Sequence, residues 1–269
     1  MNFHSDEWIM DRVQEHYNEA LEYFPEDRIV CLILQGSQNY GLDYEGSDID
    51  TKLIVTPTFK EIAMNKKAVS TTHVRENEEH TDFKDIRLYI QTFRKQNLNF
   101  LEILFSPYAI VNPMYAEQWN RLVSAREAIA HYSPVQAIKS MKGIAKEKYH
   151  AMEHHYPARI AWIEKFGYDP KQLHHLLRVE DYIRRYISGE SYESCLQPLN
   201  PTHLQNVKIG CYSLDEARQL ADLAINNIDN MSNQYLETCS KEVNQDVDTL
   251  LDDVQYNIMK IAIEKEIGD

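Results

Sequence analysis

The sequence predicts an α+β fold: an N-terminal mixed sheet with helices, followed by a C-terminal α-helical domain. Three observations carry this. Short, β-branched apolar runs occur at 28–34 and 48–56, with further strand-like segments up to about residue 84. Strand signals fade beyond about residue 114. The remainder alternates helical patterns with breaks at Ser133-Pro134, Tyr156-Pro157, Asp169-Pro170, Pro198 and Pro201. A length of 269 residues suits one or two domains, and we divide it into 1–115 and 116–269.

The elements follow in order. Trp8, Ile9, Val13, Tyr17, Ala20 and Leu21 recur at helical spacing, so 6–23 is a helix that ends before Pro25. Arg28 to Leu34 has the composition of a strand buried on both faces. Gln35 to Ser47, with Gly36, Gly41 and Gly46, is a loop or a broken helix start. Asp48 to Thr56 is the next strand, closed by Pro57. Val69 to Arg75 and Glu79 to Lys84 are two more, joined by a turn at Asn77-Glu78. Asp85 is placed to N-cap a helix from Ile86 to about Lys95, with Ile86, Tyr89, Ile90 and Phe93 on one face. A short helix around Asn99 to Phe105 stops at Pro107.

Bulk properties narrow the function. Hydrophobic residues are 43% of the chain, enough for a core, and no run of about 18 apolar residues exists to span a membrane. The acidic start, Met1 to Glu7, has no apolar stretch of the secretory kind. Cys31, Cys195, Cys211 and Cys239 show no CxxC spacing, which fits reduced thiols in a cytoplasmic protein rather than a disulfide framework or zinc site. A net charge of -14 argues against a broad basic nucleic-acid surface.

The chemistry concentrates in Leu34-Gln35-Gly36-Ser37-Gln38-Asn39-Tyr40-Gly41 through Gly46-Ser47-Asp48-Ile49-Asp50. Side chains alternate along a strand, so Asp48 and Asp50 point to one side, while Ile49, Leu53 and Val55 point to the core. Two adjacent carboxylates are costly unless cations neutralise them. Nucleotidyl transfer needs such cations: two divalent ions, Mg²⁺ or Mn²⁺, clamp the attacking and leaving oxygens. The Gly36-Ser37 turn, placed after a buried strand, lets backbone N–H groups and one hydroxyl approach phosphate. Tyr40 lies in the same loop, within stacking reach of a base, and Ser47 immediately precedes the first aspartate.

These residues resemble the DNA polymerase beta nucleotidyltransferase superfamily, with its Gly-Ser turn followed by Asp-x-Asp. More narrowly, Gly36-Ser37-x-x-Tyr40-Gly41-Leu42-x-x-x-Gly46-Ser47-Asp48-x-Asp50 resembles the predicted nucleotidyltransferases that include the RNA-ligase-associated branch. Two later stretches are similar to that family: Asp85-Ile86-Arg87 through Asn97-x-Asn99-Phe100-Leu101-Glu102 to Pro107, and Lys171 to Arg178 followed by Gly210-x-x-Ser213-Leu214-x-Glu216. The similarity covers roughly residues 28 to 230. It implies a polymerase-beta-like core and a third carboxylate on a strand beside Asp-x-Asp. Asp82 and Asp85 are the candidates. Asp82 is favoured, because helix capping already accounts for Asp85. In some relatives an acid stands where His80 stands here.

In the helical part, Lys171, His175 and Arg178 have i, i+4, i+7 spacing on a helix opened by Asp169-Pro170, giving a basic stripe opposite Leu173, Leu176 and Leu177. Its expected role is contact with the NTP triphosphate as the helical domain closes the nucleotide cleft; the plainer reading is a solvated face paired with Glu180 and Asp181. His150, His154, His155, His174 and His175 lack the spacing of a zinc site. The expected function is transfer of an NMP, AMP from ATP in the simplest case, to RNA, protein or a small molecule. The alternative is a nucleotide-binding regulatory or toxin-antitoxin module on the same fold.

Overall fold

The computed structural model describes residues 3–268; Met1 and Asn2, at the head of the acidic start, and Asp269 lie outside it. Two compact units are present. One comprises the chain up to Tyr132 and from Val243 onward, and the other spans Ser133–Glu242.

The first unit opens with helix α1 (Asp6–Tyr23), N-capped by Ser5, whose hydroxyl accepts from the Trp8 N–H. Strand β1 (Ile29–Gln35) follows and is apolar on both faces as read from its composition. Next come β2 (Asp50–Val55), the short helix α2 (Phe59–Ala63), β3 (Ser70–Val74) and β4 (His80–Asp85). Asp85 caps helix α3 (Ile86–Arg94), accepting from the Arg87 N–H while pairing with its guanidinium. The helix expected near 99–105 is one turn of α-helix, α4 (Leu98–Leu101), running into a 3₁₀ turn over Glu102–Phe105.

The sheet has the order β3-β4-β2-β1-β5, where β5 (Ala109–Val111) is a three-residue edge strand with no signal in the sequence. It is mixed: β2 and β4 run parallel, and the other neighbours antiparallel. On one face, α1 buries Ile9, Val13, Tyr17 and Ala20 against Leu32, Leu34, Ile49, Leu53, Val55 and Phe83. On the other, α3 turns Ile86, Tyr89, Ile90 and Phe93 inward beside β2 and β4.

Helices α5 (Ala116–Ser124) and α6 (Arg126–Ala130) complete this stretch, and α13, the last helix (Gln245–Gly268), returns to it. The sequence reading puts a boundary at 115/116, whereas the units divide at 132/133. The reason is packing: α5 and α3 both lie against α13, and α6 lies against α3. Arg94 joins Asp248 and Asp252, and Arg121 reaches Asp253.

The second unit holds α7 (Pro134–Ala151), α8 (Ile160–Phe166), α9 (Pro170–Ile187), α10 (Tyr192–Leu196), α11 (Pro201–Lys208) and α12 (Leu214–Thr238). Helix α9 is its hub, contacted by α7, α10, α11 and α12. Among the described residues no helix is long and apolar enough to cross a membrane.

Candidate active site

Register brings the motif residues to one end of the sheet. Antiparallel pairing sets Gln35, the last residue of β1, opposite Asp50, the first of β2. Parallel pairing sets Thr51 opposite Thr81 and Lys52 opposite Asp82, so β4 also begins at this end. The Gly36-Ser37 turn, the Asp48-Ile49-Asp50 segment and His80 therefore share one sheet edge.

The turn is a 3₁₀ helix over Ser37–Tyr40, entered through Gly36 at φ 122° and left through Gly41 at φ 65°. Gly36 occupies backbone space that L side chains avoid, and a Cβ there would also crowd Gln38 Oε1 at 3.3 Å. The turn is tied to both sides of the site. Asn39 donates to the Leu34 carbonyl at 3.1 Å, and Gln38 Nε2 donates to the Asp48 carbonyl at 2.9 Å. Ser37 is half-buried at this edge. Tyr40 is buried, and Ser47 closes a turn, its hydroxyl accepting from the Tyr44 N–H at 2.9 Å.

Asp48 precedes the strand and is exposed, Ile49 is fully buried, and Asp50 is half-buried at the strand start. This is the alternation read from the sequence. Asp50 Oδ1 accepts from the His80 backbone N–H and lies 3.1 Å from its Nδ1. Asp82 sits two residues further along β4, opposite Lys52. Its carboxylate meets the buried Lys52 ammonium at 2.8 Å and accepts from the Thr72 hydroxyl at 2.6 Å. Burial is the largest influence on the Asp82 carboxyl and would raise it, but the Lys52 charge and hydrogen bond, the Thr72 hydroxyl and the Lys84 charge together prevail and hold the group below the usual carboxylate range. Lys52 and Lys84 both lie over the Phe100 ring, 4.4 and 4.5 Å from its centre.

Residues 7–181 match the RNA repair pathway DNA polymerase beta family. The chain belongs to that family. This makes it a polymerase beta-type nucleotidyltransferase by descent, with the α+β fold expected of one. Among solved structures, it is similar to a nucleotidyltransferase-like protein from Exiguobacterium sibiricum 255-15, with 8% identity over 84% of this chain and 78% of that one and a TM-score of 0.32. Comparison with curated proteins finds no match.

Within this polymerase beta family member, Asp48 and Asp50 are the carboxylates that could hold a divalent cation at this end of the sheet. Two carboxylates at an open edge fit Mg²⁺, which commonly binds through one or two carboxylates and takes its remaining ligands from phosphate and water. Among the described residues no group of three His, Cys, Asp or Glu is gathered for a metal, so Asp82 is not brought into one set with Asp48 and Asp50. Asp85 is occupied by its capping bonds and by Arg87. The group beside Asp50 on β4 is His80.

In the second unit, Lys171, His175 and Arg178 lie on α9 as expected, with Asp169 accepting from the Lys171 N–H at 3.0 Å. Burial, followed by the neighbouring His174 and the cations Lys171 and Arg178, holds His175 well below the ordinary histidine range. His174 is buried and bonded to the Leu204 carbonyl at 2.8 Å, with a pKa lowered to about 4 by burial. Glu180 is engaged by Arg184 and Asn227, and Asp181 by the Leu199 N–H and Arg185. The family-like Gly210 and Ser213-x-x-Glu216 have local structural roles. Gly210 has φ 83° and leaves space for Phe166, and Ser213 with Glu216 forms the capping box of α12.

The sequence reading missed the Lys52–Asp82 pair, the His80–Asp50 contact and the Gln38 link to Asp48. The first two follow only from a parallel β2–β4 register, which strand alternation alone does not fix.

Proposed function

We propose that this protein transfers a nucleoside monophosphate from an NTP, AMP from ATP in the simplest case, to an RNA end, using Mg²⁺ or Mn²⁺ held by Asp48 and Asp50. One observation carries the reading: the two aspartates flank a fully buried Ile49 at the sheet edge that also holds the Gly36-Ser37 turn. The RNA acceptor is taken from the family, whose description places it in an RNA repair pathway. When bound, the cation polarises the phosphoryl oxygens and offsets charge on the leaving pyrophosphate. The chain's own part is to hold the two carboxylates at fixed positions and to offer the turn's backbone and the Ser37 hydroxyl to phosphate.

The test is incubation with each α-labelled NTP and Mg²⁺ or Mn²⁺, with RNA, protein extract and small-molecule hydroxyl compounds as separate acceptors. Label on RNA supports the reading. Label only on protein or on small molecules reassigns the acceptor, and no label under any condition overturns it.

Two residue-level expectations arise here. Ser37→Ala raises the NTP concentration needed for half-maximal rate by roughly tenfold, the worth of one hydrogen bond to a charged group; unchanged kinetics would remove Ser37 from the site. Arg178→Ala, which deletes a forked cation from the α9 stripe, also raises the apparent KM for NTP by roughly tenfold, with kcat changed less. Wild-type turnover of this variant at subsaturating NTP would return the stripe to the role of a solvated helix face.

A further inference from the structure

A buried polar network lies on the α1 side of the sheet, beneath the two aspartates. Helix α1 presents an apolar face there, yet His16 sits on that face with no solvent exposure. Its Nδ1 lies 2.9 Å from the Thr51 hydroxyl, and its Nε2 lies 3.0 Å from Glu79 Oε2. Thr51 and Thr81 hydroxyls meet at 2.8 Å across the parallel pair, and Arg75 Nη1 donates to Thr81 at 3.0 Å. Arg12 pairs with the same Glu79 oxygen that His16 touches. The other Glu79 oxygen, Oε1, accepts from the backbone N–H of Ile49 at 3.3 Å. The network thus ends on the peptide between Asp48 and Asp50.

A carboxylate and an imidazole at this depth are costly to bury, and apolar side chains would fill the space more cheaply. Burial keeps the His16 pKa below its ordinary value, and since a carboxylate only accepts, it is Nε2–H that donates to Glu79. Burial also works against the Glu79 charge, but the bonds from His16, Asn77 and Arg12 prevail and lower its pKa to about 2. The residue after Glu79 is His80, whose N–H binds the Asp50 carboxylate. From the opposite side, Gln38 holds the Asp48 carbonyl.

We infer that Glu79, held in place by Arg12 and His16, is a positioning residue that fixes the Asp48-Ile49-Asp50 backbone from behind the sheet and so sets the spacing of the two carboxylates. The inference rests on the nucleotidyl-transfer reading for its purpose, but not for its geometry. Glutamine at position 79 keeps the shape and has a single acceptor oxygen, so it cannot serve both the Ile49 N–H and the His16 and Arg12 donors.

The experiment uses full-length wild type and Glu79→Gln. In each we measure amide hydrogen exchange at Ile49, Mn²⁺ binding by electron paramagnetic resonance with a non-hydrolysable ATP analogue, and turnover with its KM and kcat parts. The expected result is Ile49 exchange faster by about tenfold, with the amides of β1 unchanged, Mn²⁺ affinity and kcat both lower by about tenfold, and KM for NTP within about twofold. Should Glu79→Gln not fold, Arg12→Met, which removes one donor from Glu79, carries the same measurements. A fold that merely loosens, with Ile49 exchange rising in step with β1 and Mn²⁺ affinity and kcat unchanged, overturns the inference. If wild type binds no Mn²⁺–nucleotide and transfers no label, the functional reading fails, while Ile49 exchange still decides whether Glu79 pins the segment.

Discussion

Asp50→Asn and Asp48→Asn each lower nucleotidyl transfer by on the order of 10³-fold while leaving the protein folded. Losing one ligand from a pair removes much of the several kcal/mol that a bound cation contributes to the transition state, and about 4 kcal/mol corresponds to that factor. Stability is expected to change little. Asp48 is exposed, so neutralising it relieves repulsion within the pair at small cost. At position 50, asparagine still offers an oxygen to the His80 N–H. Label transfer, Mn²⁺ binding and thermal unfolding, measured on the same preparations, check all three statements. Transfer at the wild-type rate by either variant would end the metal-ligand assignment.

Asp82→Asn has the opposite signature, a loss of stability. The Lys52 side chain is only 3% exposed, and the Asp82 carboxylate meets its ammonium at 2.8 Å. Removing the charge leaves a buried cation with only the Phe100 ring and an amide oxygen in place of its carboxylate. Breaking a fully buried pair costs about 3–5 kcal/mol. Because a third of Asp82 is exposed, we expect about 2–4 kcal/mol, or a Tm lower by roughly 5–15 °C. The pH dependence follows from the direction of the shift. The folded carboxyl sits below its unfolded value of about 3.9, so the stability it confers is full above that value and is lost as pH falls through the folded one. Urea unfolding should therefore show a large deficit near neutrality that narrows in acid. If Asp82→Asn instead abolishes Mn²⁺ binding with stability intact, Asp82 is the third metal ligand implied by the family resemblance. Replacing both members by apolar residues, Lys52→Met with Asp82→Leu, should recover much of the loss.

Much of the fold was legible in local chemistry. Helix α1 begins and ends where its apolar spacing and Pro25 place it, and Asp85 caps α3 because a short carboxylate before an amphipathic run meets the first free N–H groups. The Asp48-Ile49-Asp50 alternation needed only the pleat of a strand. What stayed hidden depends on partners distant in the chain. Edge strand β5 is three residues long and draws its pairing from β1, and no local pattern marks a strand that short. The fit of α5 and α13 lies more than a hundred residues apart in sequence, so a boundary drawn on fading strand signals falls too early. At the site, the pairing of Asp82 with Lys52 appears only once the register sets the two residues opposite each other. The contact between His16 and Glu79 has no local signal and appears only when α1 is docked over the sheet.

The return of α13 has a consequence for how the protein is made. Asn244 donates to the Tyr132 carbonyl at 2.9 Å, so the helical stretch 133–242 leaves and re-enters the sheet-bearing unit at a single point. On a ribosome, the sheet is synthesised first but cannot finish: Arg94 waits for Asp248 and Asp252, and the flank of α5 waits for the last helix. Closing a flexible chain of that span costs about 4 kcal/mol in entropy. If the intervening helices fold on their own as they emerge, they draw the two ends together before α13 arrives, and most of that cost is met by their own packing. Assembly is then ordered from the inside outward, with the insert folding ahead of the unit that surrounds it.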